Sequence, residues 1–245
     1  MEAEHPLLAL GAAVALALTH LLAGRLGSLS AVPRSRWLSA AGGVSVAYVF
    51  VHLLPELSEA QDAVAEEAEG VLPFLESHVY LLALAGLSLF YGVEIASRRS
   101  RAASRGGDDA TGPAAFWLSI GSFATYNALI GYLLLHREDP GSTSLILFAV
   151  AIAVHFVVND HGLRAHHKAA YDRIGRWLLA ASVLGGWVAG RLTEVSDAAV
   201  GLLIAFLAGG VVLNVLKEEL PEERQSRFGA FVLGVLVYAA LLEAI

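Results

Sequence analysis

The stretch AVAIAVHFVVNDHGL, Ala149–Leu163, decides which kind of fold this chain adopts. It is an apolar run of helical length, within which His155 and Asn159 lie one turn apart on the same face and Asp160 lies about 100° further round. The hydrocarbon core of a bilayer offers no hydrogen-bond partners, so polar side chains in a membrane helix need partners within the protein or a bound ligand. The rest of the chain must supply what these three side chains bind.

The composition indicates an all-α polytopic membrane protein. The chain has 245 residues, 56% of them hydrophobic and 16% charged, and its mean hydropathy is +0.62, which is too apolar for a single soluble core. It has no cysteine, which excludes disulfides and thiolate metal ligands and leaves His, carboxylate, amide and hydroxyl groups as metal ligands. The net charge of −7 arises from clustered acidic residues and argues against nucleic-acid binding.

Apolar runs of about 20 residues, the length needed to cross a bilayer core of about 30 Å, predict eight transmembrane helices in one domain covering residues 1–245. The predicted spans are Pro6–Arg25, Trp37–Leu57, Val71–Ser97, Ala114–His136, Ser144–Leu163, Gly175–Leu192, Ala198–Glu218 and Phe228–Ile245.

Basic residues are distributed unevenly among the connections between these spans. They follow spans one, three and five, whereas the alternate connections are short or acidic, so we expect the basic connections to be cytoplasmic and both termini to lie outside. Residues 98–113, rich in Arg, Ser and Gly, are predicted to form a flexible cytoplasmic linker. We expect the protein to reside in the plasma membrane.

Two similar segments suggest an internal repeat. Span two ends in YVFVHLLPE, Tyr48–Glu56, and span seven ends in NVLKEELPE, Asn214–Glu222. The predicted topology places these segments at opposite membrane faces. An inverted repeat of spans one to three and six to eight would produce that arrangement, which many secondary transporters share.

The polar residues of spans four and five are candidate metal ligands. His155, Asn159 and Asp160 suit Zn²⁺, Fe²⁺ or Mn²⁺, but one helix cannot complete a site, and span four adds Tyr126 and Asn127. The alternative is that these side chains only form hydrogen bonds between neighbouring helices.

Further charged residues lie at the ends of the spans. His52 and Glu56 are predicted near the outer end of span two, and Glu218 and Glu222 near the inner end of span seven, where they would attract cations to a pathway. Alternatively, these are solvated helix ends. Glu94 is expected to pair with Arg98 one turn later.

These residues resemble the ZIP family of divalent-metal transporters along most of the chain. The likeness lies in His52-Leu53-Leu54-Pro55-Glu56, similar to that family's H-L-x-P-H/E segment, in the run ending at Glu94, and in Leu220-Pro221-Glu222. The resemblance implies eight spans in a 3+2+3 inverted-repeat bundle, a variable linker after span three, and a metal site between spans four and five.

The family's metal-site patterns, H-N-x-P-E/D-G and H-E-x-P-H/E-x, match this chain only in part. Asn127, Gly131 and His155 are retained. Tyr126 and Ile130 replace an expected His and carboxylate, Phe156 and Asn159 replace further ligands, and Leu129 and Val158 replace two prolines. A two-metal site is therefore not expected, and amides in place of carboxylates should weaken metal binding by several kcal/mol.

The sequence favours a ZIP-like permease that moves a divalent cation by alternating access and is not an enzyme. The cation is its substrate, no resident cofactor is expected, and its other partner is the lipid bilayer. Two alternatives remain open. One is a non-transporting ZIP-like protein with a binding or regulatory role, and the other is an intramembrane metal-dependent hydrolase that uses His155, Asp160 and His52. Glycine-rich helix faces fit packing within one chain or in a homodimer.

Overall fold

A computed structural model describes residues 6–22, 34–67, 79–103, 113–136, 141–219 and 227–243. These residues are almost entirely helical, and no strand occurs among them. The α-helices are α1 (Pro6–Leu22), α2 (Arg34–Tyr48), α3 (Leu54–Glu67), α4 (Val79–Ala103), α5 (Pro113–Leu133), α6 (Ser142–Ala170), α7 (Arg176–Leu192), α8 (Asp197–Asn214) and α9 (Phe228–Glu243). The predicted helical class is thus confirmed for the described residues.

Several helices are long and apolar enough to cross a membrane. Four stretches qualify by length and composition among the described residues, namely Ser39–Asp62, Val79–Ala96, Ser142–Arg164 and Asp197–Lys217. The helices Pro6–Leu22 and Phe228–Glu243 are apolar but shorter. These features identify a membrane protein.

Within the described ranges, three π-helical turns widen the helical path. Val49–Leu53 joins α2 to α3, Tyr171–Gly175 joins α6 to α7, and Val215–Glu219 continues α8. The first ends two residues before Pro55, which lacks an N–H group and whose ring conflicts with the carbonyl group four residues earlier. A π turn at this place lets the helix continue past the proline without a break.

The helices pack as two groups. In one group, α1 contacts α6 and α7, and α5 packs along α7. In the other, α2 packs along α9, and α8 packs on both α3 and α4. The groups meet where α4 touches α5 and where α2 touches α6. We call them the α1 group (α1, α5, α6, α7) and the α2 group (α2, α3, α4, α8, α9).

Glycines allow close approach at the tightest helix crossings. A Cβ atom at Gly43 of α2 would overlap the carbonyl oxygen of Phe231 in α9, and one at Gly209 of α8 would overlap that of Ala83 in α4. In the α1 group, a Cβ at Gly186 of α7 would overlap the backbone of Ala128 in α5. Small residues at such crossings are typical of membrane helix packing.

The predicted cytoplasmic linker is partly helical. Helix α4 continues through Ala103, so residues 98–103 extend span three. Residues 104–112, the remainder of the linker before α5, lie outside the described residues.

Candidate functional site

Among the residues that the structure describes, the most deeply buried polar cluster joins three helices of the α1 group. His20 of α1 is 1% exposed, Asp160 of α6 is fully buried, and Asn127 of α5 is 1% exposed. The Nδ1 atom of His20 lies 2.9 and 3.0 Å from the two carboxylate oxygens of Asp160, and its Nε2 atom lies 3.1 Å from the Oδ1 atom of Asn127. One imidazole therefore connects α1, α5 and α6.

The hydrogen-bond partners of His20 fix how a proton is held in this cluster. The Nδ2 group of Asn127 donates to the carbonyl oxygen of Phe123 at 2.8 Å, which leaves its Oδ1 atom to accept from His20. Nε2 of His20 is thus the donor in that bond, and a second proton lies between Nδ1 and the Asp160 carboxylate. A shared proton makes the pair neutral overall, which reduces the large free-energy cost of burying an isolated charge.

Aromatic rings surround the pair. The ring of His20 lies 4.5 Å from that of Phe156, centroid to centroid. Tyr171 is fully buried in the π turn between α6 and α7, outside the predicted spans. Burial, together with the negative charge of Asp160, raises the pKa of the Tyr171 hydroxyl far above its usual range. Tyr171 therefore stays neutral.

His155 and Asn159, which their spacing predicted to share one face of the helix, form a second buried pair on α6. The Nδ2 group of Asn159 donates to the Nε2 atom of His155 at 2.8 Å, so His155 accepts in this bond and carries its own proton on Nδ1. The Oδ1 atom of Asn159 is buried and receives no hydrogen bond from any residue that the structure describes. A buried acceptor without a donor is a position where a ligand can bind.

The predicted metal ligands are thus divided between two neighbouring clusters. Asp160 and Asn127 both bind His20, whereas His155 and Asn159 bind each other. Tyr126 adjoins the second cluster, since its ring lies 5.9 Å from that of His155. Across the described ranges, no group of three or more His, Cys, Asp or Glu side chains is arranged to hold a metal ion. Amide oxygens or water would have to complete any coordination shell here.

Tyr126 also lines a cavity of about 30 Å³ between the two helix groups. Its walls are mostly apolar, and the carboxylate-bearing residue Glu56 lies among them, as do Ile130, Phe148 and Leu207. This volume is sufficient for one or two water molecules. The cavity therefore places a small internal space at the boundary between the two groups.

The predicted pathway residues fall partly within the described chain. His52 and Glu56 face each other across one turn, with 3.8 Å between Nε2 and a carboxylate oxygen. The backbone of Glu218 lies in the π turn that follows α8. Glu222 lies outside the described residues.

Glu94 lies in an ion-pair cluster that joins two helices of the α2 group. Its Oε1 atom accepts from Nε of Arg98 at 2.6 Å, which confirms the predicted pair. Its Oε2 atom accepts from Nζ of Lys217 at 2.7 Å. Lys217 belongs to the π turn after α8, so the cluster ties α4 to that turn.

His20 is the site residue that the sequence reasoning missed. The available signal was an ionisable side chain in the otherwise apolar run Pro6–Leu22, the same signal that drew attention to His155. Its partner Asp160 lies 140 residues away along the chain, so no local spacing connects the two.

Comparison with known proteins assigns no family. No protein-family model matches the chain, and no curated protein is significantly similar to it in sequence.

Proposed function

We propose that this protein is an eight-span permease of the plasma membrane that moves a divalent metal cation, such as Zn²⁺, Fe²⁺ or Mn²⁺, by alternating access. Its helices would form an inverted repeat similar to that of the ZIP family, in which spans one to three are related to spans six to eight. The observation that carries the proposal is a set of glycine contacts that recurs between the two halves of the chain.

The glycine contacts pair span two with span eight and span three with span seven in the same way. Gly43 packs directly against the carbonyl group of Phe231, and Gly209 packs directly against that of Ala83. Aligning Tyr48–Glu56 with Asn214–Glu222 also aligns Gly43 with Gly209, because the two glycines are the same distance apart in the sequence as the two segments. Two identical contacts at aligned positions are expected if the halves share one fold.

A second, reciprocal pair of contacts fits the same pairing of spans, with one register for spans two and seven and a second for spans three and eight. Gly234 meets the Ala40 carbonyl group, and Gly86 meets the Phe206 carbonyl group. Ala40 aligns with Phe206 in the first register, and Gly86 aligns with Gly234 in the register that pairs Ala83 with Phe231. All four contacts are thus accounted for by one relation between the halves.

The positions of two π turns agree with this alignment. Val49–Leu53 and Val215–Glu219 occupy the same positions in the aligned segments, and each ends two residues before a proline, Pro55 or Pro221. A rare helix distortion at two aligned places favours a repeat over two unrelated segments.

Eight crossings require α1, α5, α7 and α9, which are not among the four long apolar stretches, to span the membrane as well. Helix α7 has 17 residues and α5 has 21, which correspond to about 26 and 32 Å at a rise of about 1.5 Å per residue. Helices of about 17–25 residues are long enough to cross a bilayer core. These helices pack against each other through Gly131 and Gly186, as membrane helices do.

The substrate class follows from the side chains near the boundary between the helix groups. His155 offers an imidazole and Asn159 a buried oxygen without a donor, while Tyr126 connects this pair to the cavity between the groups. Imidazole and oxygen ligands suit borderline divalent cations. The only carboxylate in the adjoining cluster, Asp160, is engaged by His20, so binding would be weak and release easy.

A second candidate is a non-transporting membrane protein with the same bundle. It is favoured by the full engagement of Asp160 and Asn127 with His20, which leaves these two predicted ligands bound within the protein. The hydrolase alternative needs His52 and Asp160 as ligands of one metal. In the structure these two side chains have separate partners, since His52 faces Glu56 and Asp160 binds His20.

Uptake of metal into proteoliposomes tests the proposal. We expect the purified protein to carry Zn²⁺, Mn²⁺ or Fe²⁺ into vesicles, and we expect His155→Ala to reduce that uptake to the level of empty vesicles because the imidazole ligand is lost. Asn159→Asp should lower the KM, since a carboxylate offsets part of the lost hydration of a divalent cation. His161→Ala serves as the control, because His161 is an exposed histidine on the same helix.

The outcome separates the two candidates. Uptake by the wild type and by His161→Ala, but not by His155→Ala, supports the permease. If none of the three metals is taken up faster than by empty vesicles, the permease is excluded and the non-transporting protein is favoured.

A further inference from the structure

The proposed repeat makes residues at one end of the α2 group equivalent to residues at its other end, and the side chains at these equivalent positions differ. In the alignment described above, Lys217 corresponds to Val51, Glu94 to Leu242, and Phe90 to Tyr238. Lys217 and Glu94 are joined by an ion pair of 2.7 Å and are about one-fifth exposed. Val51, Leu242 and Tyr238 instead line a pocket of about 330 Å³.

The contacts that the two ends make with the α1 group also differ. On the side of Lys217, the ring of Phe90 packs edge-on against Tyr126 of α5 at 6.1 Å, which brings α4 against the α1 group. On the side of Val51, the hydroxyl of Tyr238 donates to the Leu147 carbonyl oxygen at 2.9 Å, and the pocket remains beside this contact. The packing against the α1 group is therefore closed on the side of Lys217 and leaves a pocket on the side of Val51.

The open pocket carries groups that attract cations. His52, about one-third exposed, and Glu243 both line it, with Ser144 on the α6 side. Phe148 lines this pocket and also the inner cavity that contains Tyr126 and Glu56. Phe148 therefore lies between the pocket and the cavity, and Tyr126 on the wall of the cavity has its ring 5.9 Å from that of His155.

We propose that the pocket lined by His52 and Glu243 is the entry vestibule for a divalent cation, and that the Glu94–Lys217 ion pair closes the pathway at the opposite, cytoplasmic end. This inference rests on the proposed function, because it takes the repeat to be inverted. The structure then represents the outward-open state, Phe148 is the barrier between vestibule and cavity, and rupture of the ion pair accompanies opening to the cytoplasm. In an inverted-repeat transporter, exchange of these two arrangements between the halves produces alternating access.

Thiol labelling tests the inference directly, because the chain has no native cysteine. A membrane-impermeant maleimide added to intact cells should label Ser144→Cys in the vestibule. Leu241→Cys, which lies on the exposed face of α9 and does not line the pocket, is the control for lipid-facing positions. Zn²⁺ should slow the labelling of Ser144→Cys, and adding His52→Ala should remove that protection.

The closed end is tested with Phe90→Cys in inside-out vesicles. This position should react slowly, and adding Lys217→Met should raise its rate by about five- to thirtyfold, the factor that corresponds to a loss of one to two kcal/mol from the closed state. Exchanging all three charges of the cluster in Glu94→Lys/Arg98→Glu/Lys217→Glu should restore slow labelling, which a merely disrupted fold would not do.

The possible results are distinct from those of the uptake assay. Labelling of Ser144→Cys no faster than that of Leu241→Cys, equal rates at Phe90→Cys with and without Lys217→Met, or absence of Zn²⁺ protection would each overturn the inference. If all labelling results are as expected while metal uptake is absent, the vestibule and gate stand and the assignment of metal transport fails.

Discussion

Replacing Asp160 with alanine is expected to destabilise the folded protein by about 3–5 kcal/mol, the usual consequence of removing one member of a buried ion pair. Asp160 is fully buried, and both of its oxygens lie within 3.0 Å of His20. Without the carboxylate, the imidazole would keep its bond to Asn127 but would lose the group that shares its second proton. Thermal unfolding in detergent, followed by circular dichroism, measures the loss as a lower Tm.

The matched control is Asp172→Ala. Asp172 also pairs with a basic side chain, Arg164, at 2.7 and 2.9 Å, and these hydrogen bonds lower its pKa below the usual range. This pair is about one-third exposed on both sides, so its loss should cost less than about 1 kcal/mol. Equal Tm values for Asp160→Ala and Asp172→Ala would show that burial of the His20 pair does not matter for stability.

The double variant His20→Leu/Asp160→Leu distinguishes a structural requirement for the pair from a penalty for leaving one member alone. Apolar side chains of similar size often replace a buried ion pair without loss of stability. Because Asn127 Oδ1 would also lose its donor, Nε2 of His20, we expect the double variant to recover only part of the stability that Asp160→Ala loses. A functional pair would then be revealed by a variant that folds but does not transport.

Replacing Gly186 with alanine is expected to destabilise the protein by about 1–3 kcal/mol, the range for side chains forced into a well-packed core. A Cβ atom at this position would overlap the backbone of Ala128, so α5 and α7 would have to separate. Backbone cannot move aside as a flexible side chain can. The Tm in detergent should fall accordingly.

The adjacent residue provides the control. A Cβ atom at Gly185 would meet no atom within 4 Å, so Gly185→Ala adds no contact and removes the conformational freedom of a helical glycine. Its stability should be unchanged or higher by up to about 1 kcal/mol. If the two neighbouring substitutions lower the Tm equally, the close crossing of α5 and α7 is wrong.

Local features of this protein were predictable from sequence, whereas the long-range polar network was not. Hydropathy predicted the all-helical class, and a spacing of four residues predicted the Glu94–Arg98 contact and placed His155 and Asn159 on one face, because one helical turn brings such residues together. Lys217 as the second partner of Glu94 depends on how α4 packs beside α8, which no local pattern encodes.

The candidate site shows the same division. Spacing placed Asp160 about 100° away from the His155 face, but it did not reveal that α1 lies on that side and presents His20. The sequence therefore predicts Asp160 as a metal ligand, whereas in the structure it binds His20 within the protein. Which face of a helix meets which neighbour is decided by packing over the whole bundle.

The number of membrane crossings is the claim on which the repeat, the pathway and the gate all depend, and the sides on which residues 168 and 194 lie test it most directly. Both Lys168 and Glu194 are exposed, and α7 lies between them. Single cysteines at these positions can be labelled with an impermeant maleimide in intact and in permeabilised cells. With eight crossings, Glu194→Cys should react in intact cells and Lys168→Cys only after permeabilisation. If only the four long apolar stretches cross, α7 does not, and both cysteines would react from the same side, which would contradict the account.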